Sequence, residues 1–281
     1  ATRETDHHLI RSAAPAGGWV AGLPMYDWPE VRDEVDCLWT AITCRLREVG
    51  VDAPLELWRP DHVSELWVAP NLLVGHVCGL NVVGSLRGRM EVMGALDYGV
   101  EGCEPGDYRS VLVCRATDPA DGLEAFRGRC AAINDPESQS GHAALVDLVA
   151  PLAEDGRFFG GMVETGSHRK SIRAVAEGRA DMASIDAVVW NLAASFEPAA
   201  DELRVVSFTE PMPAPPLVIG WAHAGLRDTV NGAVSDAVVS LDPEVRQPLD
   251  LYGYRIRPTA DYEILAQHRA RAAVFGCRVV P

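Results

Sequence analysis

The chain has 281 residues, 48% of them apolar and 23% charged, with a formal net charge of −15. That length and apolar content suit two lobes with a sizeable core and exclude a disordered or fibrous chain. The acidic balance argues against nucleic acid and anionic membrane surfaces as partners, but leaves room for a small anion held at a recessed helix start. No apolar run reaches the length of a membrane span, so no membrane insertion is expected. The seven cysteines (Cys37, Cys44, Cys78, Cys103, Cys114, Cys130 and Cys277) are odd in number, scattered and without a CxxC pair. They imply neither a zinc site nor a disulfide framework, and no metal or other cofactor is expected.

Residues 1–18 read as a polar, disordered lead-in carrying His7 and His8. No export signal is visible there, so the chain is either cytoplasmic or has lost its signal. A first strand is expected at 19–24. Asp27 then caps a helix opened by Trp28-Pro29-Glu30. That helix carries apolar residues at Val31, Val35, Leu38, Ile42, Leu46 and Val49 and stops at Gly50. A helical turn at 63–67 and a strand at 72–74 follow, then a glycine-bracketed loop, Gly75-His76-Val77-Cys78-Gly79-Leu80. Strands are expected at 90–96 and 108–114, with a loop rich in glycine, proline and acids between them. A short helical region at 122–128 leads to a buried strand, Cys130-Ala131-Ala132-Ile133.

That strand stops at the turn residues Asn134-Asp135-Pro136. Ser138-Gln139-Ser140-Gly141 comes next, then an apolar stripe at Leu145, Leu148, Val149 and Leu152 with helical spacing. A serine hydroxyl at Ser138 is placed to accept an orphan amide of that helix. The free amides and the hydroxyls of Ser138 and Ser140 then make an anion site that needs no Lys or Arg. An ordinary capped helix accounts for the same residues. Beyond it come a strand at 157–163, a helix opened by Thr165-Gly166-Ser167-His168 and ending at Gly178, and a strand at 181–185. Asp186 caps a following helix through Leu192. Strands at 203–208 and 217–221 flank a proline-dense connection, and helices at 225–240 and 261–275 finish the chain.

The alternation indicates an α/β protein with mostly parallel sheets. In such sheets ligands collect at the carboxyl ends of strands. Tyr26, Asp27, His76, Ser138, Gln139, Ser140, His168 and Asp186 all stand at such ends, in both halves of the chain, which suggests a cleft between two lobes. Capping alone explains Asp27 and Asp186 as well as ligand contact does. Tyr108 and Trp221 read as packing residues that can also face the cleft. His76 and Cys78 have the residue types of a base and a nucleophile, but no oxyanion partner is identifiable beside them.

Three segments carry a family resemblance. They are Ser138-Gln139-Ser140-Gly141, Gly166-Ser167-His168 with Ser171 following, and the run Gly178-Arg179-Ala180-Asp181-Met182-Ala183-Ser184-Ile185-Asp186. In that order they resemble the phosphate/phosphonate-type substrate-binding proteins of ABC transporters, and Tyr108-Arg109-Ser110-Val111 looks like the crossing strand of that family. The resemblance covers roughly residues 19–221. It implies a type II periplasmic-binding-protein fold, with two α/β lobes closing on a ligand cleft by a hinge and two crossing strands. Lobe 1 would be 19–107 plus 218–281 and lobe 2 would be 108–217. The implied ligand contacts are Tyr26, Ser138, Gln139, Ser140, His168 and Asp186. The implied function is capture of a small oxyanion such as phosphate or a phosphonate, without chemistry of its own, for delivery to a transporter permease from the periplasm. Two features depart from the family pattern: no export signal is seen, and Gln139 stands where a hydroxyl residue is common. An enzyme or a cytoplasmic ligand sensor on the same fold is the alternative.

Overall fold

The stripe Val31, Val35, Leu38, Ile42 and Leu46 is buried as its spacing predicts; Val31 closes the preceding turn and the other four form one face of α1 (Arg32–Glu48). The computed structural model describes residues 17–274. Nearly all of the expected lead-in, and Cys277, therefore lie outside the described residues. Val49 continues the spacing but is exposed, because the helix ends at Glu48 and Gly50 turns the chain with a φ of 84°.

Among the described residues twelve strands follow one another as β1 (Val20–Gly22), β2 (Leu72–His76), β3 (Met90–Asp97), β4 (Asp107–Tyr108), β5 (Ser110–Arg115), β6 (Cys130–Ile133), β7 (Gly161–Glu164), β8 (Met182–Asp186), β9 (Leu203–Phe208), β10 (Met212–Pro213), β11 (Pro216–Gly220) and β12 (Gly253–Ile256). They build two five-stranded sheets, β1-β2-β11-β3-β12 and β7-β6-β8-β5-β9. The chain passes between the sheets twice, and the two passages pair as the antiparallel ribbon β4–β10. This is the type II periplasmic-binding-protein architecture, two α/β lobes joined by crossing strands.

The sheets are not mostly parallel. Three pairings are parallel, β1–β2, β6–β7 and β6–β8, and the other six are antiparallel. The reason is the crossing. Strand β5 enters the second sheet, and β11 returns to the first, each against the direction of the strands beside it. Strand β5 is covered on both faces. Val111 and Val113 join the larger core cluster, while Leu112 and Cys114 join a second cluster with Phe126, Leu145 and Met182. Burial on both faces explains its unbroken apolar run.

Strand β12 has no counterpart in the sequence reading. It is a short edge strand whose Arg255 and Ile256 are exposed, so its pattern carries little hydrophobic signal. Its backbone packs onto Gly94 of β3, where a Cβ would meet the Arg255 carbonyl and the Tyr254 ring.

Smaller helices complete the frame. They are α2 (Val63–Trp67), α3 (Gly79–Val82), α4 (Ala144–Val149), α5 (His168–Ala176), α6 (Ala187–Phe196), α7 (Arg227–Ser240), α8 (Pro243–Arg246) and α9 (Glu263–Val274). The loop expected at 75–80 is therefore the end of β2 and the start of α3. Among the described residues no helix is long and apolar enough to cross a membrane.

Candidate functional site

The carboxyl ends of β6 and β8 lie side by side, because the two strands pair in parallel. At the end of β6 the chain turns through Asn134 and Asp135 to Ser138, which is extended (φ −69°, ψ 134°). Its Oγ accepts from the Gly141 amide at 3.1 Å, as capping requires. A π-helical turn, Gln139–Ala143, leads into α4. The first amides of such a turn have no acceptor within the helix and carry its positive end.

Ser140 holds this loop in place. Its carbonyl accepts from Ser110 Oγ of β5 (2.9 Å) and Ser184 Oγ of β8 (2.6 Å), both buried. Its own hydroxyl lies 2.9 Å from His168 Nε2 at the start of α5 and also meets Tyr108. Burial pushes the His168 pKa down to about 4, partly opposed by the Ser184 main chain. The imidazole is therefore neutral at pH 7 and offers one N–H rather than a charge. A Cβ at Gly141 would overlap Asn134 Oδ1 and crowd His168 Cε1 at 3.0 Å, so the loop closes on itself at this glycine.

At the end of β8, Asp186 caps α6 through the Val188 amide at 2.8 Å. Its second oxygen accepts from Tyr26 Oη of the other lobe at 3.0 Å. The carboxyl is 2% exposed. Burial pushes its pKa up to about 7, and hydrogen bonds from Tyr26 and from the Val188 and Val189 amides hold it back. Tyr26 packs edge-on against Tyr98 and His76.

Between the lobes lies a cleft of about 890 Å³. Tyr108, Ser138, Ser140, His168 and Asp27 line it. Tyr26, His76, Gln139 and Asp186, grouped with them from sequence, do not. They are buried behind its floor, each 5% exposed or less. His76 closes β2 and engages the Pro215 carbonyl through Nε2 at 3.1 Å, and burial pushes its pKa down to about 4. It forms no hydrogen bond with Cys78. That thiol faces the cleft, where burial pushes its pKa up against the opposing amides of Gln139, Leu80 and Asn81. The pair is not arranged as nucleophile and base.

Asp27 does not cap the first helix. Its carboxylate pairs with Arg59 (2.5 and 3.2 Å) and lies 3.8 Å from Arg32. The turn after it, Pro29–Val31, has Trp28 at its cap with no side-chain bond. Pro29 fixes the first turn without that cap.

The lining also holds residues the sequence reading passed over. From lobe 1 these include Trp67 and Asn81, and from lobe 2 Asn134 and Arg169. Arg169 spans the cleft. It is anchored on Glu197 and the Phe196 carbonyl, meets Glu30 at 2.9 and 3.1 Å, and lies over the Trp28 ring at 4.3 Å. Ser85 reaches Glu137 at 3.5 Å on another part of the lining, and Arg271 of α9 grips Asp147 of α4. The lobes thus touch in several places around the cleft. Ser138, Ser140 and Ser167-His168 carried a sequence signal in their helix-start chemistry, whereas these residues meet through the tertiary fold. Among the described residues no group of three His, Cys, Asp or Glu side chains is placed to hold a metal.

A model of the family described as "ABC transporter, phosphonate, periplasmic substrate-binding protein" matches residues 91–263. No curated protein sequence matches the chain. Among solved structures, the chain is similar to a binding protein component of an ABC phosphonate transporter from Pseudomonas aeruginosa. The TM-score is 0.70 at 15% identity, covering 92% of this chain and 89% of that one. It is similar to PhnD1 from Prochlorococcus marinus in complex with methylphosphonate, at TM-score 0.69 and 14% identity over 91% and 98% of the chains. It also resembles XAC2383 from Xanthomonas citri, at TM-score 0.68 and 16% identity over 92% and 99%. At such identities the likeness to these structures establishes the fold alone.

Proposed function

The chain belongs to the phosphonate-binding family of periplasmic substrate-binding proteins of ABC transporters, a solute-binding role, and we propose that the solute is a phosphorus oxyanion held at the start of the Ser138 helix. One observation carries this reading: Ser138, Ser140 and the neutral His168 bring three uncharged hydrogen-bonding side chains to one helix start that faces the cleft. Hydroxyls, an imidazole N–H and helix amides are donors that suit oxyanion oxygens. The anion's charge is met by dipoles, with no counter-cation to release. Tyr108 adds a hydroxyl from the crossing segment. Asp186 and Tyr26 act behind this floor as a link between the lobes.

A relative's complex with methylphosphonate supports the ligand class. The lobes divide at the ribbon, 19–107 forming lobe 1 with the chain from about residue 216 onward and 108 to about 215 forming lobe 2, because all of β11 lies in the first sheet. The protein hands its ligand to a permease on the outer side of a membrane. Closure around the ligand uses the Arg169–Glu30 bridge.

The test is a thermal-shift screen with phosphate, methylphosphonate, 2-aminoethylphosphonate and sulfate, repeated on Ser140→Ala. Ligand at about a hundred times its dissociation constant stabilises the folded state by roughly 2.7 kcal/mol, a readily measured shift. A shift with a phosphorus oxyanion that disappears in Ser140→Ala is expected. A shift that persists unchanged in Ser140→Ala would remove the site from the reading.

A further inference from the structure

Helix α9 begins in one lobe and ends on the other. Tyr262, in the turn before it, and Leu265, His268 and Arg271 within it follow at a spacing of three, which places them along one side. The stripe changes character along its length. Tyr262 and Leu265 are fully buried. Both pack on Gly79 at the start of α3, where a Cβ would come within 2.7 Å of the Tyr262 ring and 2.9 Å of Leu265. Tyr262 donates its hydroxyl to the Ala214 carbonyl in the second passage between the lobes at 2.8 Å. Glu263 pairs with Arg87 at 2.7 and 2.9 Å. This end of the helix is built into lobe 1.

Further along, the same stripe meets lobe 2. Arg271 donates through Nε and Nη2 to the Asp147 carboxylate of α4 at 3.0 and 2.5 Å, and His268 Nδ1 lies 3.2 Å from the same carboxylate. Helix α9 also packs on the Gln139–Ala143 turn that leads into α4. A helix of twelve residues is about 18 Å long, which lets one element touch both lobes. The two ends differ in strength. The root is apolar and sealed from water, whereas Arg271 at the tip is 56% exposed. Separating a buried apolar contact costs more than separating an exposed ion pair. When the lobes part about their hinge, α9 therefore stays with lobe 1 and lets go at Asp147.

We propose that α9 is a strap rooted in lobe 1 whose tip, through His268 and Arg271 on Asp147, holds the two lobes together, so that its release is a step in opening the cleft. The strap lies beside the hinge as well as across it, because Tyr262 bonds the passage between the lobes itself. It differs in this from the Arg169–Glu30 bridge, which joins two side chains and carries no hinge contact of its own. The inference concerns the motion of the lobes and holds whatever ligand the cleft takes.

The experiment is small-angle X-ray scattering of the dialysed full chain, wild type against Arg271→Glu, paired with alkylation of the native thiols by iodoacetamide read peptide by peptide. The thiols report different things. Cys78 lines the cleft and meets the Gln139 amide of the other lobe, Cys37 and Cys44 are exposed on α1, and Cys114 is buried in β5. Arg271→Glu should raise the radius of gyration. It should also speed alkylation of Cys78 about three- to fivefold, the population shift expected for loss of one such ion pair. Cys37 and Cys44 should react as before, and Cys114 should stay protected. Adding Asp147→Arg to Arg271→Glu restores the pair in reverse and should return the radius and the Cys78 rate to the wild-type values. Should that double variant not fold, Asp147→Asn alone serves, and it should open the lobes as Arg271→Glu does. Glu263→Gln removes an exposed pair at the root of the same helix and should change neither reading. An unchanged radius in Arg271→Glu would overturn the inference. So would an equal rise in Glu263→Gln, or a rise accompanied by alkylation of Cys114, which marks unfolding in place of opening.

Discussion

Two neighbouring strands of one sheet end in the same local device and arrive at opposite fates. The turn after β6 reaches Ser138 and β8 ends at Asp186, and each side chain caps the helix that follows. From sequence the two look interchangeable as ligand contacts. In the structure Ser138 opens onto the cleft, whereas Asp186 is sealed by the Tyr26 hydroxyl from the other lobe. The difference teaches that what lies across from a helix start decides whether it stays open to a cleft or is sealed. The neighbour of Ser138 is a space, and the neighbour of Asp186 is a phenol. A buried carboxylate without a cation is costly in its ionised form, which suits a link between lobes better than an open anion site.

The strongest way to break this contrast is pH. Asp186 has its folded pKa raised from the usual 3.8 to about 7. Its contribution to stability is therefore fully present below about pH 4 and is lost as pH rises through 7. By linkage this amounts to about 4 kcal/mol at most. Asp186→Asn lacks that loss. Its denaturation midpoint should gain on the wild type steadily between pH 4 and 7, and the gain should level off above. His76 and His168 have depressed pKa values, and their contribution runs the other way, present above about 6.5 and lost as pH falls toward 4. They are shared by both proteins and cancel in the difference. A gap that does not change with pH would mean that Asp186 is as open to solvent as Ser138.

Ser140→Ala probes the other member of the pair. Removing a hydrogen bond to a charged oxyanion costs roughly 1.5–3 kcal/mol, so affinity for the preferred phosphorus ligand should fall about ten- to a hundredfold in calorimetry. Stability should change less, because the two serine bonds to the Ser140 carbonyl remain.

Tyr26→Phe sharpens the contrast at the sealed end. It leaves one Asp186 oxygen without its donor, a loss of about 1–2 kcal/mol. The loss should be larger at pH 8, where the carboxylate is ionised, than at pH 5. Chemical denaturation at the two pH values measures it.

Glu30→Gln is the smallest change. The bridge to Glu30 is partly exposed, and such pairs contribute about 1 kcal/mol or less. A few-fold faster ligand release in stopped-flow is expected, with little change in association.

The sequence made the order of elements readable wherever a periodic apolar face was buried, as in α1, or a strand was covered on both sides, as in β5. It left β12 unread because half of that edge strand faces water. It misjudged strand direction because the crossing reverses β5 and β11, and no local pattern records that. Within the site, Ser138, Ser140 and His168 were readable because helix-start chemistry is local. Which lobe wall would face them, through Trp67 and Asn81, depended on tertiary closure. Asp27 was read as a cap for want of any sign that Arg59 would reach it. His76 was placed in a loop because the glycines beside it suggested one, whereas Gly75 belongs to the strand.

The most direct measurement is a crystal structure of the protein with methylphosphonate bound. The account predicts the phosphorus seated at the helix start, its oxygens within hydrogen-bond distance of Ser138, Ser140 and His168, with the Tyr26–Asp186 bond intact behind it. A phosphonate group found against Asp186, or outside the cleft with the Ser140–His168 bond undisturbed, would contradict it.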